Sequence, residues 1–470
     1  MFHTFQNLDS NIINLTDHPR LGIASDTYNN ERYTAMSFES NDKITTKIFK
    51  NYNIEENLLE TKCIFTWDSD GLALNNIFDL SLMCYQFYNI TKPKLPEVLK
   101  KYTECLYNDD QIQKLRHVVK NDDLIPYYIW TSNLCDKSAA YLQLGQNLYP
   151  QFNEKDKQFY HHLLSGKKAL KIIRENQIVI NESYLSGYLK KASDKYLRMG
   201  KQILKRIKNK KIIQFLDTTG TVTGRLVGSG GLNLQTLPKG AGLKRCITSR
   251  FKNGKILVAD WNAMEFRIAL AEAEHIDLSK TDIHIRTAQQ IFQKESISPA
   301  EREQAKVINF SIIYGGFTNK NAKVIEKLYP TLNNKVQNVT KEAKRTKKQV
   351  NIFGRKRLFA EDTFFQTKSF NNLIQGSAAD ICLRALYLIQ DKIEKQQLES
   401  KIILAVHDSI VFDCKENEIN ILLKIIQDIM TDEALPSLYK KRLLFSVAVE
   451  SGNNYEDLEL LATIYKDEIQ

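Results

Sequence analysis

The chain has 470 residues and a formal net charge of +11 at pH 7, a length that predicts two to four domains and a charge that favours a polyanionic partner. No apolar run approaches the roughly 18 residues of a membrane span, and the start MFHTFQNLD lacks a signal-peptide pattern, so we expect a soluble intracellular protein with no membrane partner. The seven cysteines form no CxxC pair, which argues against a zinc site and a disulfide framework.

Residues 1–150 are predicted to form a mixed α/β domain. Apolar runs typical of strands, Leu21 to Ala24 and Cys63 to Trp67, precede helical patterns at Phe78 to Phe87 and Leu95 to Cys105. No linker rich in Pro, Gly or Ser marks the end of this domain.

A long basic helix is predicted next. From Asn181, apolar residues spaced alternately by four and three, from Leu185 to Ile207, predict one amphipathic helix with a single buried stripe. We interpret its other face as a surface for phosphate contact; the alternative is an ordinary solvated helix face. The basic residues of that face, interrupted only by Asp194, are Lys190, Lys191, Lys195, Arg198, Lys201, Lys205, Arg206, Lys208 and Lys210.

Two segments in the middle of the chain carry candidate site residues. The glycine-rich stretch Thr218 to Gly240 contains Arg225, and glycine lets backbone approach a phosphate chain closely, although such a loop is weak evidence by itself. The apolar run Ile256 to Ala259 then stops at Asp260, as when a buried strand delivers a carboxylate to the rim of a sheet. The alternative is an acid that only caps the next turn.

A helix from Arg302 to Tyr314 follows another helix that Asp282 and His284 open. Arg302, Lys306, Phe310 and Tyr314 recur every four residues and therefore share one gradually turning face. Two cations suit a triphosphate, and two aromatic rings suit a sugar and a base. The alternative is an exposed basic turn followed by two core aromatics.

The C-terminal third is predicted to contain a long helix and a hairpin. An apolar helix from Phe370 to Ile389 follows the basic segment Thr340 to Arg357, in which Gly354 marks a turn between strands. In Lys401 to Cys414 two apolar runs flank His407-Asp408-Ser409, the pattern of a hairpin. Val447 to Val449 and the Gly-Asn-Asn that follows predict a last strand and turn.

Asp408 changes the interpretation of Asp260. If a hairpin carries Asp408 beside the end of the Asp260 strand, the two acids could hold two divalent cations about 3.5 to 4 Å apart. That arrangement serves in-line phosphoryl transfer.

These motifs together resemble those of the DNA polymerase I family, family A. TGRL with NLQ resembles the family's TGRLSSxxPNLQ, and DWNAMEFR resembles DYSQIELR. RxxxKxxNFxxxYG resembles RxxAKxxNFGxxYG, while NxxxQGSAAD and VHDS resemble NxxxQGTAAD and VHDE. Their order and spacing agree over residues 155–460.

The resemblance implies an α+β right-hand polymerase fold, with an antiparallel palm sheet, helical fingers and thumb, and an N-terminal α/β domain of the RNase H-like exonuclease type. The degenerate 3′–5′ exonuclease-like domain would be 1–150, the thumb 151–215, the palm 216–284 and 376–470, and the fingers 285–375.

The implied function is template-directed DNA synthesis with two Mg²⁺ ions. Asp260 and Asp408 would bind the metals together with the backbone carbonyl of Trp261. Arg302 and Lys306 would clamp the triphosphate with His284, and Lys306 could protonate the leaving group. Glu265 would fill the space of a 2′-hydroxyl, and Phe310 and Tyr314 would pack on sugar and base. The residues expected to follow the primer terminus and the minor groove are Arg225, Asn371, Gln375 and His407.

The implied partners are primer-template DNA and dNTPs. We expect a monomer in the cytoplasm of a bacterium or of a phage-infected cell, and the sequence identifies no processivity factor or helicase.

Several positions depart from the family pattern. Ser409 stands where the family usually has Glu, and Ala263, Ser311 and Thr367 replace a usual Gln, Gly and Arg. We expect these changes to affect fidelity and contact with the minor groove more than chemistry.

Near the N-terminus Asp26-Thr27-Tyr28 replaces Asp-x-Glu, Asn75 to Asp79 is a weak NxxxD match, and no YxxxD lies around Tyr128 to Asp136. The sequence therefore predicts no proofreading.

Two alternatives remain from the sequence alone. A single-subunit RNA polymerase shares the acid, lysine and HD elements, but Glu265 and the TGR and QGSAAD stretches argue against it. A primer-template binding protein that has lost catalysis is compatible with Ser409 but not with intact Asp260, Asp408, Arg302 and Lys306.

Overall fold

The computed structural model describes residues 20–29, 31–40, 43–50, 63–67, 77–102, 112, 114–116, 125–313, 326–360 and 365–469. The chain divides into two compact units, Met1–Leu164 and Ser165–Gln470. No helix among these residues is long and apolar enough to cross a membrane.

The first unit is built on a five-stranded mixed sheet. Its strands are β1 (Arg20–Tyr28), β2 (Glu31–Ser40), β3 (Lys43–Lys50), β4 (Cys63–Thr66) and β5 (Ile77–Asp79). They lie in the order β3-β2-β1-β4-β5, in which the first three are antiparallel and β4 and β5 run parallel to β1. This strand order is that of an RNase H-like sheet.

One helix packs directly on that sheet. The helices along this part of the chain are α1 (Leu80–Tyr88), α2 (Leu95–Tyr102), α3 (Tyr127–Leu148) and α4 (Glu154–Asn176). At Gly22 of β1 an added Cβ would lie 2.1 Å from the carbonyl oxygen of Ser138 on α3. Any side chain at this position would therefore push α3 away from the sheet.

The predicted basic helix is in fact two helices, α5 (Glu182–Leu189) and α6 (Asp194–Arg206). The prediction of one continuous helix from Asn181 to Ile207 is wrong. Ser193, the residue before α6, has an extended backbone (φ −67°, ψ 157°). Serine favours the residue before a helix start over a helix interior, so the chain breaks there although the apolar spacing continues.

The remaining elements all belong to the second unit. Two small antiparallel ribbons pair β6 (Ile178–Val179) with β7 (Lys211–Ile212) and β8 (Phe215–Asp217) with β9 (Val227–Ser229). Then come β10 (Lys255–Trp261), α7 (Met264–Glu272), α8 (Ile283–Phe292), α9 (Pro299–Ile313), α10 (Pro330–Thr346), β11 (Lys348–Val350), β12 (Lys356–Leu358) and α11 (Phe365–Lys395). The chain continues with β13 (Lys401–Val406), β14 (Ser409–Cys414), α12 (Ile419–Asp428), α13 (Ser437–Arg442), β15 (Val447–Gly452) and β16 (Glu459–Ile464).

A five-stranded antiparallel sheet is the centre of the second unit. Its order is β13-β14-β10-β15-β16, so β10 is the middle strand. Adjacent residues of β10 such as Ile256 and Leu257 point to opposite faces, and neither is exposed. The strand is therefore covered on both sides, which explains its unbroken apolar run.

The expected last strand, β15, is followed by a further strand that the sequence analysis missed. β16 pairs antiparallel with β15 at the edge of the sheet. Its first three residues, including Leu460 and Leu461, are exposed. Because apolar and polar residues do not alternate there, β16 lacks the pattern by which a half-buried strand is recognised.

A buried ion pair joins the hairpin β11–β12 to α11. Arg355 donates from Nε and Nη2 to Asp380 at 3.0 and 2.6 Å, and Asn351 Nδ2 donates to the same carboxylate at 2.7 Å. The Arg355 guanidinium also packs against Gly224, where an added Cβ would lie 2.2 Å from Cζ. This packing fixes the loop that carries Arg225.

We expect Asp380→Asn to lower the free energy of unfolding by about 3 to 5 kcal/mol, because it leaves the Arg355 charge buried without its counter-ion. Chemical denaturation monitored by circular dichroism measures the loss. Asp391→Asn is the control, since it removes only the exposed pair with Lys395 (2.8 Å) and should cost about 0.5 kcal/mol. Equal losses in the two variants would contradict this account of the Arg355 pair.

Candidate active site

Most of the candidate residues from the sequence line one cavity of about 580 Å³ in the second unit. This volume is within the range of small-molecule sites, roughly 300 to 1,000 Å³. The candidates that line it are Arg225, Asp260, Trp261, Glu265, His284, Arg302, Lys306, Phe310, His407 and Asp408.

The sheet register brings Asp260 and Asp408 to the same rim. Asp260 lies directly opposite Ser409 of β14, and Asp408 is the neighbouring residue in the turn between β13 and β14. His407, the other turn residue, has φ +56°, the left-handed conformation that a tight two-residue hairpin turn requires. A β-strand end and a short hairpin thus hold the two acids as neighbours.

The surroundings of Asp260 and Asp408 disfavour the charged forms of both carboxylates. Solvent reaches the Asp260 side chain from the cavity, but the protein around it partly desolvates the carboxylate. This desolvation, followed by the charges of Asp408 and Glu450, raises the pKa of Asp260 to about 7, although Lys239 and Lys306 act against the shift. Desolvation also raises the pKa of Asp408. The protein alone does not neutralise this pair.

This donor set fits magnesium. Carboxylate oxygens are hard ligands, and Mg²⁺ is usually bound by one or two of them together with water and substrate phosphates. Among the residues that the structure describes, no three His, Cys, Asp or Glu side chains cluster as a complete metal cage. Asp260 and Asp408 therefore match a site that substrate completes.

Ser409 adds no charge to the pair. Its hydroxyl donates to the carbonyl of Val406 at 2.8 Å, within the hairpin turn. A further acid, Glu450 of β15, lies opposite Val258 in the sheet, and its charge acts on Asp260.

Glu265 and Arg225 form an ion pair at the cavity wall. Glu265, in the first turn of α7, is 7% exposed, and its carboxylate accepts from Nη2 of Arg225. Burial raises the pKa of Glu265, and the Arg225 charge acts against that shift. Arg225 comes from the glycine-rich loop, so this contact joins two distant motifs.

The cations of α9 lie on another wall of the cavity. Arg302 donates from Nε and Nη2 to Asp282 at 2.9 and 2.7 Å, and Lys306 contacts Glu303 at 3.4 Å. Asp282 also caps α8 by accepting from the backbone N–H of His284 at 2.8 Å. The Arg302 guanidinium is thus held in place at the start of α8.

His284 is almost fully buried at the start of α8, at 2% exposure. Burial lowers the pKa of its imidazole to about 4; Asp282 acts against this shift, and Arg302 and Lys306 add to it. The ring is therefore neutral at physiological pH.

Three candidates do not lie among these lining residues. Asn371 and Gln375 are on α11, two turns and one turn before Ala378 and Ala379, which do line the cavity. Tyr314 lies outside the described residues.

The structure also adds residues that sequence reasoning missed. Ser446, Thr463 and Tyr465 line the cavity from β15, β16 and their flanks, and Lys239 and Glu450 act on Asp260. No local motif marks these residues. The apolar run Val447 to Val449 predicts the strand that carries Glu450, but it does not reveal which strand is its neighbour.

A model of DNA polymerase family A matches residues 137–457. The chain belongs to DNA polymerase family A. DNA polymerase I of Bacillus caldotenax is 25% identical over 336 residues, which cover 64% of this chain and 34% of that protein. DNA polymerase I of Bacillus subtilis (strain 168) is 30% identical over 243 residues, 45% of this chain and 28% of that protein. The matched part is thus about a third or less of these family A relatives.

The fold of this family A chain is also that of a solved polymerase domain. The POL domain of Pol1 from M. smegmatis, in complex with DNA primer-template and dNTP, superposes with a TM-score of 0.73 at 17% identity. The match covers 94% of this chain and 97% of the other. The expected α+β polymerase fold is confirmed.

We expect Asp260→Asn to stabilise the metal-free chain by about 1 kcal/mol at pH 8, because it removes the repulsion with Asp408. This gain in the free energy of unfolding is well below the value that the full pKa shift of Asp260 would give, since solvent in the cavity screens the charges. Thermal unfolding in EDTA measures the change. Asp413→Asn is the control: that acid accepts from Arg250 Nε at 2.7 Å, so its loss should destabilise the chain by about 3 kcal/mol. A stability loss in Asp260→Asn would contradict the crowding of the two acids.

Proposed function

We propose that this chain is a template-directed DNA polymerase that adds deoxynucleotides to a primer 3′-hydroxyl. One observation carries the proposal: the carboxylates Asp260 and Asp408 and the cations Arg302 and Lys306 line the same cavity. Acids that attract metal ions and cations that attract phosphates are the two requirements of phosphoryl transfer. The family to which the chain belongs supports the same reaction.

Asp260 and Asp408 would hold two Mg²⁺ ions, together with the backbone carbonyl of Trp261. When bound, the ions would lower the pKa of the primer hydroxyl and stabilise charge on the phosphates. The Trp261 indole donates to the carbonyl of Met430 at 2.8 Å, which fixes the end of β10. The chain's own contribution is thus to keep two acids and a carbonyl in place.

The triphosphate would lie along α9. Arg302 would exchange its contact with Asp282 for phosphate oxygens, and Lys306 would approach the leaving pyrophosphate and could give it a proton. His284 would complete the clamp at the start of α8. Phe310, one turn beyond Lys306 on α9, would pack on the sugar and the base. By its spacing in the sequence, Tyr314 would join it.

Glu265 would select the sugar. Its buried carboxylate, held by Arg225, would fill the space that a 2′-hydroxyl needs, so a ribonucleotide would meet both a steric and a polar conflict.

The partners would be primer-template DNA and dNTPs. Arg225, Asn371, Gln375 and His407 would follow the primer terminus and minor groove, and the basic face of α6 would contact phosphates. We assign the exonuclease-like domain to 1–150, the thumb to 151–215, the palm to 216–284 and 376–470, and the fingers to 285–375. The bacterial relatives favour a cytoplasmic protein, which we propose acts as a monomer.

We further propose that the chain does not proofread. Proofreading needs about four acids around two metals. Asp26 pairs with Arg116 at 3.5 Å, and Asp79 is fully buried, where it caps α1 by accepting from Leu82 N–H at 3.2 Å. Within the described parts of the first unit no group of three acids or histidines is close enough to hold a metal.

Primer extension with Mg²⁺ and dNTPs tests the function directly. The purified chain should extend a primer opposite a template, and Asp408→Asn should lower the rate by about 10³-fold or more. Failure of the native chain to extend the primer would refute the proposal, and a preference for ribonucleotides would favour an RNA polymerase.

Glu265→Ala should raise the ratio of ribonucleotide to deoxynucleotide incorporation about ten- to hundredfold, because the space and polarity that exclude the 2′-hydroxyl are lost. Competition between dNTP and rNTP in single-nucleotide extension gives the ratio. Glu274→Ala, an exposed acid just beyond the end of the same helix, is the control. An unchanged ratio would remove Glu265 from the sugar-gate role.

Incubation of the chain with a mismatched primer, Mg²⁺ and no dNTP should leave the primer length unchanged, because the N-terminal acids that the structure describes do not cluster as a metal site. Gel electrophoresis of the labelled primer shows the outcome. Shortening that persists in Asp408→Asn would contradict the proposed absence of proofreading.

A further inference from the structure

We propose that Asn309 is a positioning residue: it holds the His284 imidazole in the neutral tautomer that carries its hydrogen on Nε2, which then donates to the incoming triphosphate. The inference deepens the proposed function and rests on it for the identity of the ligand. Asn309 lies in the RxxxKxxNF motif of α9, between Lys306 and Phe310, and none of the roles assigned above uses it.

The amide of Asn309 is placed as a double donor. Asn309 is fully buried, and its Nδ2 lies 3.0 Å from both Nδ1 of His284 and Oγ1 of Thr287. The Thr287 hydroxyl donates its own hydrogen to the carbonyl of Ile283 at 2.9 Å, so its oxygen accepts from the amide. The second amide hydrogen is then directed at Nδ1 of His284, which must accept it.

The opposite orientation of the amide fits worse. It would turn Oδ1 toward the Thr287 oxygen, whose hydrogen is already given to Ile283, so two acceptors would face each other. In the observed orientation Oδ1 of Asn309 has no hydrogen-bond partner among the described residues. A buried acceptor without a partner costs stability, and such a cost is typical of a group kept for function.

The surroundings keep the ring neutral. His284 lies between the rings of Phe266 and Phe310, with centroids 6.3 and 6.2 Å away. Burial lowers its pKa to about 4; among the charged groups that face it, Asp282 acts against the shift, while Arg302, Lys306 and Arg267 add to it. Protonation would therefore require a pH below about 4. The neutral ring carries a single N–H hydrogen, either on Nδ1 or on Nε2.

The tautomer of His284 determines whether its Nε2 offers an anion a hydrogen or a lone pair. With Nδ1 accepting from Asn309, the hydrogen resides on Nε2, the nitrogen left for a ligand in the cavity that His284 lines. The other tautomer would turn a lone pair toward phosphate oxygens. Asn309 thus converts a buried histidine into a donor whose strength does not change across physiological pH.

The tautomer can be measured without ligand or activity. Long-range ¹H–¹⁵N correlation spectra of the full chain labelled with ¹⁵N-histidine report which ring nitrogen carries hydrogen, and His284→Gln identifies its signals. We expect a neutral ring with Nε2–H between pH 5.5 and 8. A hydrogen on Nδ1, or a charged ring at pH 7, would overturn the proposal.

Asn309→Asp is the decisive variant, because it is nearly isosteric and replaces the donor by an acceptor. Its carboxylate would accept from Nδ1–H, which inverts the neutral tautomer and raises the pKa of His284. Thr287→Val, which removes only the other acceptor of the amide, should keep the native tautomer. Native-like spectra in Asn309→Asp would overturn the proposal, as would an inverted tautomer in Thr287→Val.

In Asn309→Asp, the affinity for the incoming nucleotide should become dependent on pH. In Asn309→Asp the Nε2–H donor exists only while the ring is charged, so affinity for dTTP on a dideoxy-terminated primer-template should fall as pH rises from 5.5 to 8. The ratio of native to variant affinity should grow about tenfold over that range. A constant ratio would refute the role toward the triphosphate. Lack of extension by the native chain would instead refute the polymerase function and leave the tautomer result standing.

Discussion

The structure depends on two like charges being held together. Asp260 and Asp408 lie at neighbouring positions on the rim of the central sheet, and desolvation raises the pKa of both. The charges of Lys239 and Lys306 act against the shift of Asp260, and a backbone hydrogen bond and the charges of His407 and Arg225 act against that of Asp408. Two acids of the same unit that are fully buried, Asp380 and Asp413, differ from this pair, because each accepts hydrogen bonds from an arginine. We propose that the pair of Asp260 and Asp408 is retained for a cation.

The rest of the cavity follows from this pair. Arg302 and Arg225 each contact a carboxylate, Asp282 and Glu265, so both guanidinium groups are already oriented toward the cavity. Arg302 can exchange a carboxylate for a phosphate with little further ordering of its side chain, because the same two donors serve both. Burial lowers the pKa of His284 to about 4, so we propose that its neutral ring adds a hydrogen bond to the phosphates without adding charge. In this proposal the cavity walls combine cations that can exchange a carboxylate for a phosphate with one neutral hydrogen-bond donor.

The sequence predicted the parts of the site that local patterns encode. The Asp260 strand and the Asp408 hairpin were recognisable because apolar runs end abruptly at polar turn residues, and the α9 residues because they recur every four positions. The break at Ser193 was missed, since apolar spacing continues through it. The strand β16 was missed because its first residues are exposed. Contacts between distant segments, such as Arg225 with Glu265 and Asn309 with His284, depend on packing that no spacing rule contains.

The most direct test of the shared cation site is electron paramagnetic resonance with Mn²⁺ in place of Mg²⁺, on the full chain with a dideoxy-terminated primer-template and the matching dNTP. We expect two bound ions coupled at about 3.5 to 4 Å, and loss of the coupling in Asp408→Asn. Two uncoupled ions, or coupling that persists when Asp408 is replaced, would contradict it.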